Sequence, residues 1–439
     1  MTIATNTDTS LSQALTKAHE KYSGKNPKSY EAYIEATKSL PGGETRSSIF
    51  IHPFPLFIER GQGTDIIDLD GHTYKDFVSD FTSGIYGKSN PVLKKAIIEA
   101  LDNGLQLGAH TKAESLLSSE ICSRFPSIDL IRFTNSGTEA NILAISIGLH
   151  YTQREKVVVF KGGYHGSVLS HFGEEQHQGG GDLKVPYEFI VCPYNDIAGT
   201  SSKIQDHSKD IGVIIVEPML GAGGCTPGEP EFLKDLRELS KKIGAVLIFD
   251  EVQTARLSTG GSQKLLNINP DITTLGKFYG GGFAFGAFGG KKEIMSLFDA
   301  RQPNSISHGG TFNNSPLTMI SGLTAITQIL TEDNLNKLNE LGDELRNILN
   351  GIFVKEELPF KITGLGSINQ IHYIPIMSLE NKREGLDLFF FYLLEKGFWI
   401  AQRGLISLNF EMTKNDIIEF QDAVVHSARA VKKVISELI

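Results

Sequence analysis

The chain has 439 residues, 40% hydrophobic and 21% charged, with 45 glycines and no G-X-Y period; this composition excludes a disordered or collagenous chain. Forty-two Lys and Arg stand against 51 Asp and Glu, a net charge of −9, so no basic excess is available for a phosphate backbone and nucleic-acid binding is disfavoured. Three scattered cysteines, Cys122, Cys192 and Cys225, exclude a disulfide framework and a Cys-rich zinc site and fit a reducing compartment. The opening MTIATNTDTSLSQAL has neither a basic n-region nor an apolar core, so no signal peptide is expected. No apolar run approaches the roughly 18 residues of a membrane helix, and a cytoplasmic location is the expectation.

In chain order, residues 1–40 are polar with loose helical spacing and read as an arm followed by one or two short helices, ending at Pro41-Gly42-Gly43. Residues 56–78 read as a hairpin, with Asp70-Gly71 as a turn signal. From about 90 to 320, helical segments (113–125, 138–151, 230–243) alternate with short apolar runs, VVVF at 157–160, VIIV at 213–216 and AVLIF at 245–249. That is the pattern of an α/β unit with a mostly parallel sheet. Beyond about 325 come a long helix (337–353), strand-like stretches (361–375 and 398–410) and a final helix (414–437). The expected division is 1–75 (arm, helices and hairpin), 76–325 (large α/β domain) and 326–439, with both chain ends building one smaller α+β domain.

Ligands of open parallel sheets sit beyond the carboxyl ends of the strands, so the residues following each run carry the argument. AVLIF is followed by Asp250, either a cap or a site carboxylate. Lys277 follows TTLG and precedes an aromatic pair and three glycines. Most lysines are solvated, but apolar surroundings disfavour the ammonium form, and a neutral amine can form a Schiff base with a carbonyl. Ser136-Gly137-Thr138-Glu139 fits a capping box before an apolar helical stripe; the same helix start offers N–H groups and hydroxyls to a phosphate. VVVF leads into KGGYHGS, which presents Tyr164 and His165; the tyrosine is either a packed loop aromatic or a stacking surface for a flat cofactor. His165, His171 and His177 lack the spacing of metal ligands, and no metal is expected. A phosphate cradle, a carboxylate for a heterocyclic nitrogen, a stacking aromatic and a lysine amine together are what pyridoxal 5'-phosphate requires.

The sequence resembles the class III, fold-type-I pyridoxal-phosphate aminotransferases over roughly residues 30–437. The resemblance rests on NSGTEAN (135–141), GGYHG (162–166), VEP (216–218), LIFDEVQT (247–254), PDITTLGKFYGGG (270–282) and HGGTFNN (308–314). It implies Lys277 as the Schiff-base lysine and Asp250 as partner of the pyridine nitrogen. Val252 and Tyr164 would lie on opposite faces of the ring, and Gln253 would approach its hydroxyl. Ser136, Gly137 and Thr138 would hold the phosphate. Thr311 would reach the phosphate of a partner subunit, so that a homodimer shares the active site at its interface.

Two subgroups fit, the β-amino-acid aminotransferases and glutamate-1-semialdehyde 2,1-aminomutase. PGGETRSSIFIHPFPLFIERG (41–61), DFTSGIYGKSNP (80–91) and FWIAQRGLISL (398–408) look like the first, and Ala222 stands where the aminomutases carry asparagine. Arg46 and Arg403 are the expected ligands of substrate carboxylates, which planar guanidinium groups grip bidentately. The expected reaction is ping-pong transamination from a β-amino acid to 2-oxoglutarate or pyruvate. The alternatives are the aminomutase reaction and a non-catalytic relative. Glu217 and His165 fall near the site without an assigned role.

Overall fold

The computed structural model describes residues 10–171, 185–375 and 382–436; His177 lies outside them, as does residue 437 at the end of the last expected helix. The chain divides into two compact units, Met1–Ser89 with Glu340–Ile439, and Asn90–Asn339. The sequence divisions at 75/76 and 325/326 lie earlier in the chain. The second observed division falls inside one continuous helix, Glu332–Lys355.

The unit Asn90–Asn339 is built on a seven-stranded sheet. In chain order its strands are β1 (Leu130–Thr134), β2 (Lys156–Phe160), β3 (Glu188–Cys192), β4 (Ile211–Val216), β5 (Val246–Asp250), β6 (Ile272–Gly276) and β7 (Gly286–Gly290). They lie side by side as β1-β7-β6-β5-β4-β2-β3. β7 runs antiparallel to both its neighbours, and the other pairs are parallel. The three apolar runs read from sequence are β2, β4 and β5. They are apolar throughout because both sheet faces are covered. On one face Val157, Val159, Val213, Ile215, Val246 and Ile248 pack with Ala140, Ala144, Ile145 and Ile147 of the helix Gly137–Thr152. On the other, Val158, Phe160, Ile214, Val216, Leu247 and Phe249 pack with Phe232, Leu233 and Leu236 of the helix Pro230–Ile243. Each such buried side chain contributes roughly 1.5–3 kcal/mol. This is the mixed α/β architecture of the fold-type-I transferases. Among the described residues no helix is long and apolar enough to cross a membrane.

The helix Gly137–Thr152 starts as its sequence predicts, with one change in the box. Ser136 is the N-cap and its hydroxyl accepts the Glu139 N–H at 3.1 Å, while the Glu139 carboxylate reaches back to the Asn135 N–H at 2.7 Å rather than to that of Ser136. β7, GAFGG, is not among the apolar runs read from sequence, since glycine is depleted in strands. Its glycines serve close approach instead: a Cβ on Gly286 would lie 2.1 Å from the Ser136 carbonyl oxygen.

In the unit Met1–Ser89 with Glu340–Ile439, helices Ser10–Lys25 and Pro27–Ala36 come first among the described residues, and the expected arm before Ser10 lies outside them. The expected hairpin is a three-strand meander, Ile58–Gln62, Asp65–Asp68 and Thr73–Asp76, joined in parallel by Phe398–Trp399. Asp70 turns its carboxylate away from the turn to accept the Lys28 and Ser29 N–H groups at the start of the second helix. Stretch 361–375 splits at Gly366 (φ 52°) into antiparallel strands Phe360–Leu365 and Ile368–Tyr373, beside Leu405–Ser407. The helix Lys382–Glu395, with Phe389, Phe390 and Phe391 buried, was not anticipated from the sequence.

Candidate active site

β5 ends in Asp250, and Glu251 follows directly after it; the two carboxylates go to different places. Glu251 goes to structure: fully buried, it accepts the Ser262 and Gln263 N–H groups at 3.0 and 2.8 Å and so caps the helix Gly261–Leu266. Burial raises its pKa, and those N–H bonds with the Thr254 hydroxyl oppose the rise. Asp250 goes to the cleft beyond the strand ends.

Two buried side chains and a backbone N–H hold Asp250. Its Oδ2 accepts from Asn141 Nδ2 at 2.8 Å and faces His165 Nδ1 at 2.8 Å; its Oδ1 accepts the Val252 N–H at 3.0 Å. An ionised carboxylate only accepts, which places the imidazole proton on Nδ1. Asn141 is itself fixed by the His165 carbonyl (2.9 Å) and by the Thr274 hydroxyl (2.6 Å). Sequence reasoning missed Asn141 and Thr274. The signal was there: Asn141 is a polar residue within the apolar stripe of its helix, and Thr274 is one in a fully buried strand.

Around Asp250 a cavity of about 210 Å³ is lined by Gly137, Thr138, Asn141, Tyr164, His165, Gly166, Glu217, Val252, Gln253 and Lys277. The structure thus brings together six of the cofactor residues read from sequence besides Asp250. Lys277 follows directly on β6 with φ 53°, a left-handed conformation that costs a side-chain-bearing residue of order 1 kcal/mol or more and is characteristic of functional sites. Val252 wedges between two glycines: a Cβ on Gly137 would lie 2.8 Å from its Cγ2, and one on Gly276 3.1 Å from its Cγ1. Ser136 is absent from the lining, its hydroxyl occupied as the helix cap. Thr311 is also elsewhere, in an exposed depression with Leu105, Leu107 and Phe312.

Glu217 closes the cavity floor. Its two oxygens accept the N–H groups of Tyr164 (2.9 Å) and Gly221 (3.0 Å), tying the tyrosine-bearing loop to the chain after β4. Burial pushes its pKa up to about 7, aided by Asp250 and opposed by His165 and the two N–H bonds.

The cavity fits a pyridoxal phosphate. Gln253 Oε1 is buried with no hydrogen-bond partner among the described residues, an acceptor that awaits an O–H donor. The first N–H groups of the helix Gly137–Thr152 are of the kind that receive phosphate, and a buried carboxylate stands ready for a protonated ring nitrogen. Among the described residues no group of three or more His, Cys, Asp or Glu side chains is placed to hold a metal.

Arg46 and Arg403 belong to the other unit and converge there on one ring. Their guanidinium carbons lie 5.7 and 5.6 Å from the Phe81 centroid, within cation–π range. Arg46 Nη1 also donates to Asp80 Oδ1 at 2.9 Å. Phe81 and Asp80 sit in a turn of four consecutive residues with positive φ, Ser79 (44°), Asp80 (45°), Phe81 (52°) and Thr82 (80°). None is glycine, and a left-handed conformation costs roughly 1–2 kcal/mol per residue. The turn is fastened by the Asp76 carboxylate, which accepts the Val78 and Ser79 N–H groups and pairs with Lys88, and by the Ser79 hydroxyl, which bonds the Ser407 carbonyl and Asn409.

The family model described as aminotransferase class-III matches residues 49–425. A beta-phenylalanine transaminase from Variovorax paradoxus is 42% identical over 424 residues, covering 95% of this chain and 96% of that protein. A glutamate-1-semialdehyde 2,1-aminomutase from Methanococcoides burtonii is 36% identical over 79% of this chain and 84% of its own. A solved structure of a beta-phenylalanine aminotransferase from Variovorax paradoxus superposes with a TM-score of 0.91 at 40% identity, covering 95% of this chain and 97% of that one.

Proposed function

The chain belongs to the class III aminotransferases and is a pyridoxal-phosphate-dependent enzyme, and on that premise we propose that it moves the amino group of a β-amino acid of the β-phenylalanine kind to a keto acid such as 2-oxoglutarate or pyruvate. The observation that carries the substrate reading is the convergence of Arg46 and Arg403 on Phe81: two carboxylate-binding guanidinium groups and an aromatic surface are gathered in one place. Similarity to the Variovorax enzyme, named for that substrate, points the same way.

The bound cofactor supplies an aldehyde for the amino group and a ring that accepts electrons from the substrate carbon. The protein's residues divide the remaining work. The N–H groups of Gly137 and Thr138, with the Thr138 hydroxyl, would receive the phosphate at the helix start, and Ser136, whose hydroxyl caps that helix, would hold the helix start in place. Asp250 holds a proton on the ring nitrogen, and His165 and Asn141 hold Asp250. Tyr164 and Val252 would pack against the ring, and Gln253 Oε1 would accept from its hydroxyl. Lys277 carries the cofactor at rest. Its Nζ would serve as the general base for the proton on the amino-bearing carbon, C3 of a β-amino acid. Arg46 and Arg403 hold the carboxylates of donor and acceptor. The order is ping-pong, the β-keto acid leaving before the acceptor binds. Thr311, exposed beside Leu105, Leu107 and Phe312, faces a second copy of the chain, and the working unit is a homodimer.

The aminomutase is the second reading, supported by the 36% identical relative. Mixing the cofactor-loaded enzyme separately with β-phenylalanine, an ω-amine, an α-amino acid and glutamate-1-semialdehyde decides between them. β-Phenylalanine should discharge the long-wavelength cofactor absorbance fastest. Discharge by glutamate-1-semialdehyde alone would overturn the proposal.

A further inference from the structure

We propose that Asp80 sets the charge of the carboxylate-binding cluster and thereby biases the enzyme toward substrates with one carboxylate over those with two. The inference rests on the reading of Arg46 and Arg403 as carboxylate ligands and adds a residue that no comparison or sequence signal assigns.

The geometry is specific. A turn of four left-handed, non-glycine residues is an unfavourable backbone, held by buried bonds from Asp76, Ser407 and Asn409. Its yield is the presentation of Asp80 and Phe81 to the arginines. Asp80 takes one contact with Arg46, through Oδ1 and Nη1, and its Oδ2 accepts from the Ser83 hydroxyl at 2.9 Å. Both partners of the ion pair remain about half exposed. The charged groups facing Asp80 are Arg46 and, at longer range, Lys88, and they outweigh burial in keeping its carboxyl below the usual range. Asp80 is therefore an anion whenever the enzyme works near neutrality.

A guanidinium has five N–H donors, so one contact to Asp80 leaves Arg46 able to grip a substrate carboxylate. The standing anion nevertheless cancels one positive charge at the place where that carboxylate arrives. A monocarboxylate brings one negative charge to the cluster. A dicarboxylate brings two, and the second meets Asp80. Removing the aspartate charge must favour the dicarboxylate more than the monocarboxylate, whatever other groups surround Arg403.

The test uses Asp80→Asn and Asp80→Gly, since asparagine and glycine both tolerate positive φ and either variant alone suffices. Glutarate and butyrate, which cannot react, are titrated into the pyridoxal-phosphate-loaded enzymes by calorimetry. The enzymes loaded with pyridoxamine phosphate are then mixed with 2-oxoglutarate or pyruvate. In both variants the preference for dicarboxylate over monocarboxylate should rise about fivefold or more, in affinity and in kcat/KM. A ratio within twofold of wild type, or a change in the opposite direction, overturns the proposal. Neither measurement uses a β-amino acid, so failure of the donor assignment is read separately. If Arg46→Ala leaves both affinities unchanged, the carboxylate role of Arg46 and this inference fall together. If Arg46→Ala weakens both while the Asp80 variants keep the wild-type ratio, this inference alone falls.

Discussion

Exchanging Asp250 for asparagine isolates what a charge at the end of β5 does. The shape is kept, but one acceptor oxygen becomes an NH2 group. Placed at Oδ2, that group would confront two donors, Asn141 Nδ2 and His165 Nδ1, each at 2.8 Å; placed at Oδ1 it confronts one, the Val252 N–H at 3.0 Å, beside the Thr274 hydroxyl at 3.4 Å, which can accept from it. The second arrangement wins and leaves one buried donor without an acceptor, costing about 1–3 kcal/mol. The two contacts to the remaining oxygen also lose their charge assistance, roughly half their strength. A fall of about 2–4 kcal/mol in folding stability is expected, read from denaturant unfolding. The cofactor ring nitrogen loses its anionic partner too. A hydrogen bond to a charged group is worth about 1.5–3 kcal/mol, so at saturating cofactor the rate should drop at least about tenfold. Asp250→Asn that binds cofactor and turns over within threefold of wild type would refute the ion pair.

Gly137→Ala should force Val252 into the cavity, because the new methyl would stand 2.8 Å from Cγ2; overpacking of about 1–3 kcal/mol should weaken cofactor affinity about tenfold or more, and an unchanged Kd in a cofactor titration would count against the wedge. Glu217, with its pKa raised from 4.5 to about 7 by burial, is protonated in the fold when it is already ionised in the unfolded chain. It therefore costs nothing below pH 4.5 and progressively destabilises as pH rises to about 7, by about 3 kcal/mol in all. Glu217→Gln should flatten that part of the stability–pH curve in the cofactor-free chain; parallel curves would show the carboxyl titrates normally. Arg46→Ala should lower kcat/KM for β-phenylalanine about tenfold or more while sparing a simple arylalkylamine. Equal losses on both would make its role structural.

What could be read from the sequence was local or periodic. The start of the helix Gly137–Thr152 was legible because a cap is a contact between residues three apart, and β2, β4 and β5 because burial on both faces leaves continuous apolar runs. Asp250 stood out as a charge directly following an apolar run, and Lys277 as a lysine set among apolar residues and glycines. β7 was hidden because its glycines answer to the Ser136 carbonyl, far away in sequence. The support of Asp250 was hidden for the same reason: Asn141, His165 and Thr274 come from three separate elements. The left-handed turn at Ser79–Thr82 carries no glycine to announce it, since its conformation is imposed by Asp76 and Asn409 rather than by its own residues.

Borohydride reduction of the cofactor-loaded enzyme, followed by peptide mapping, reaches the centre of this account most directly. The reduced pyridoxyl label should be found on the peptide that carries Lys277. A label on another lysine, or none at all, would contradict the assignment of the cavity beyond β5 and β6 as the catalytic centre.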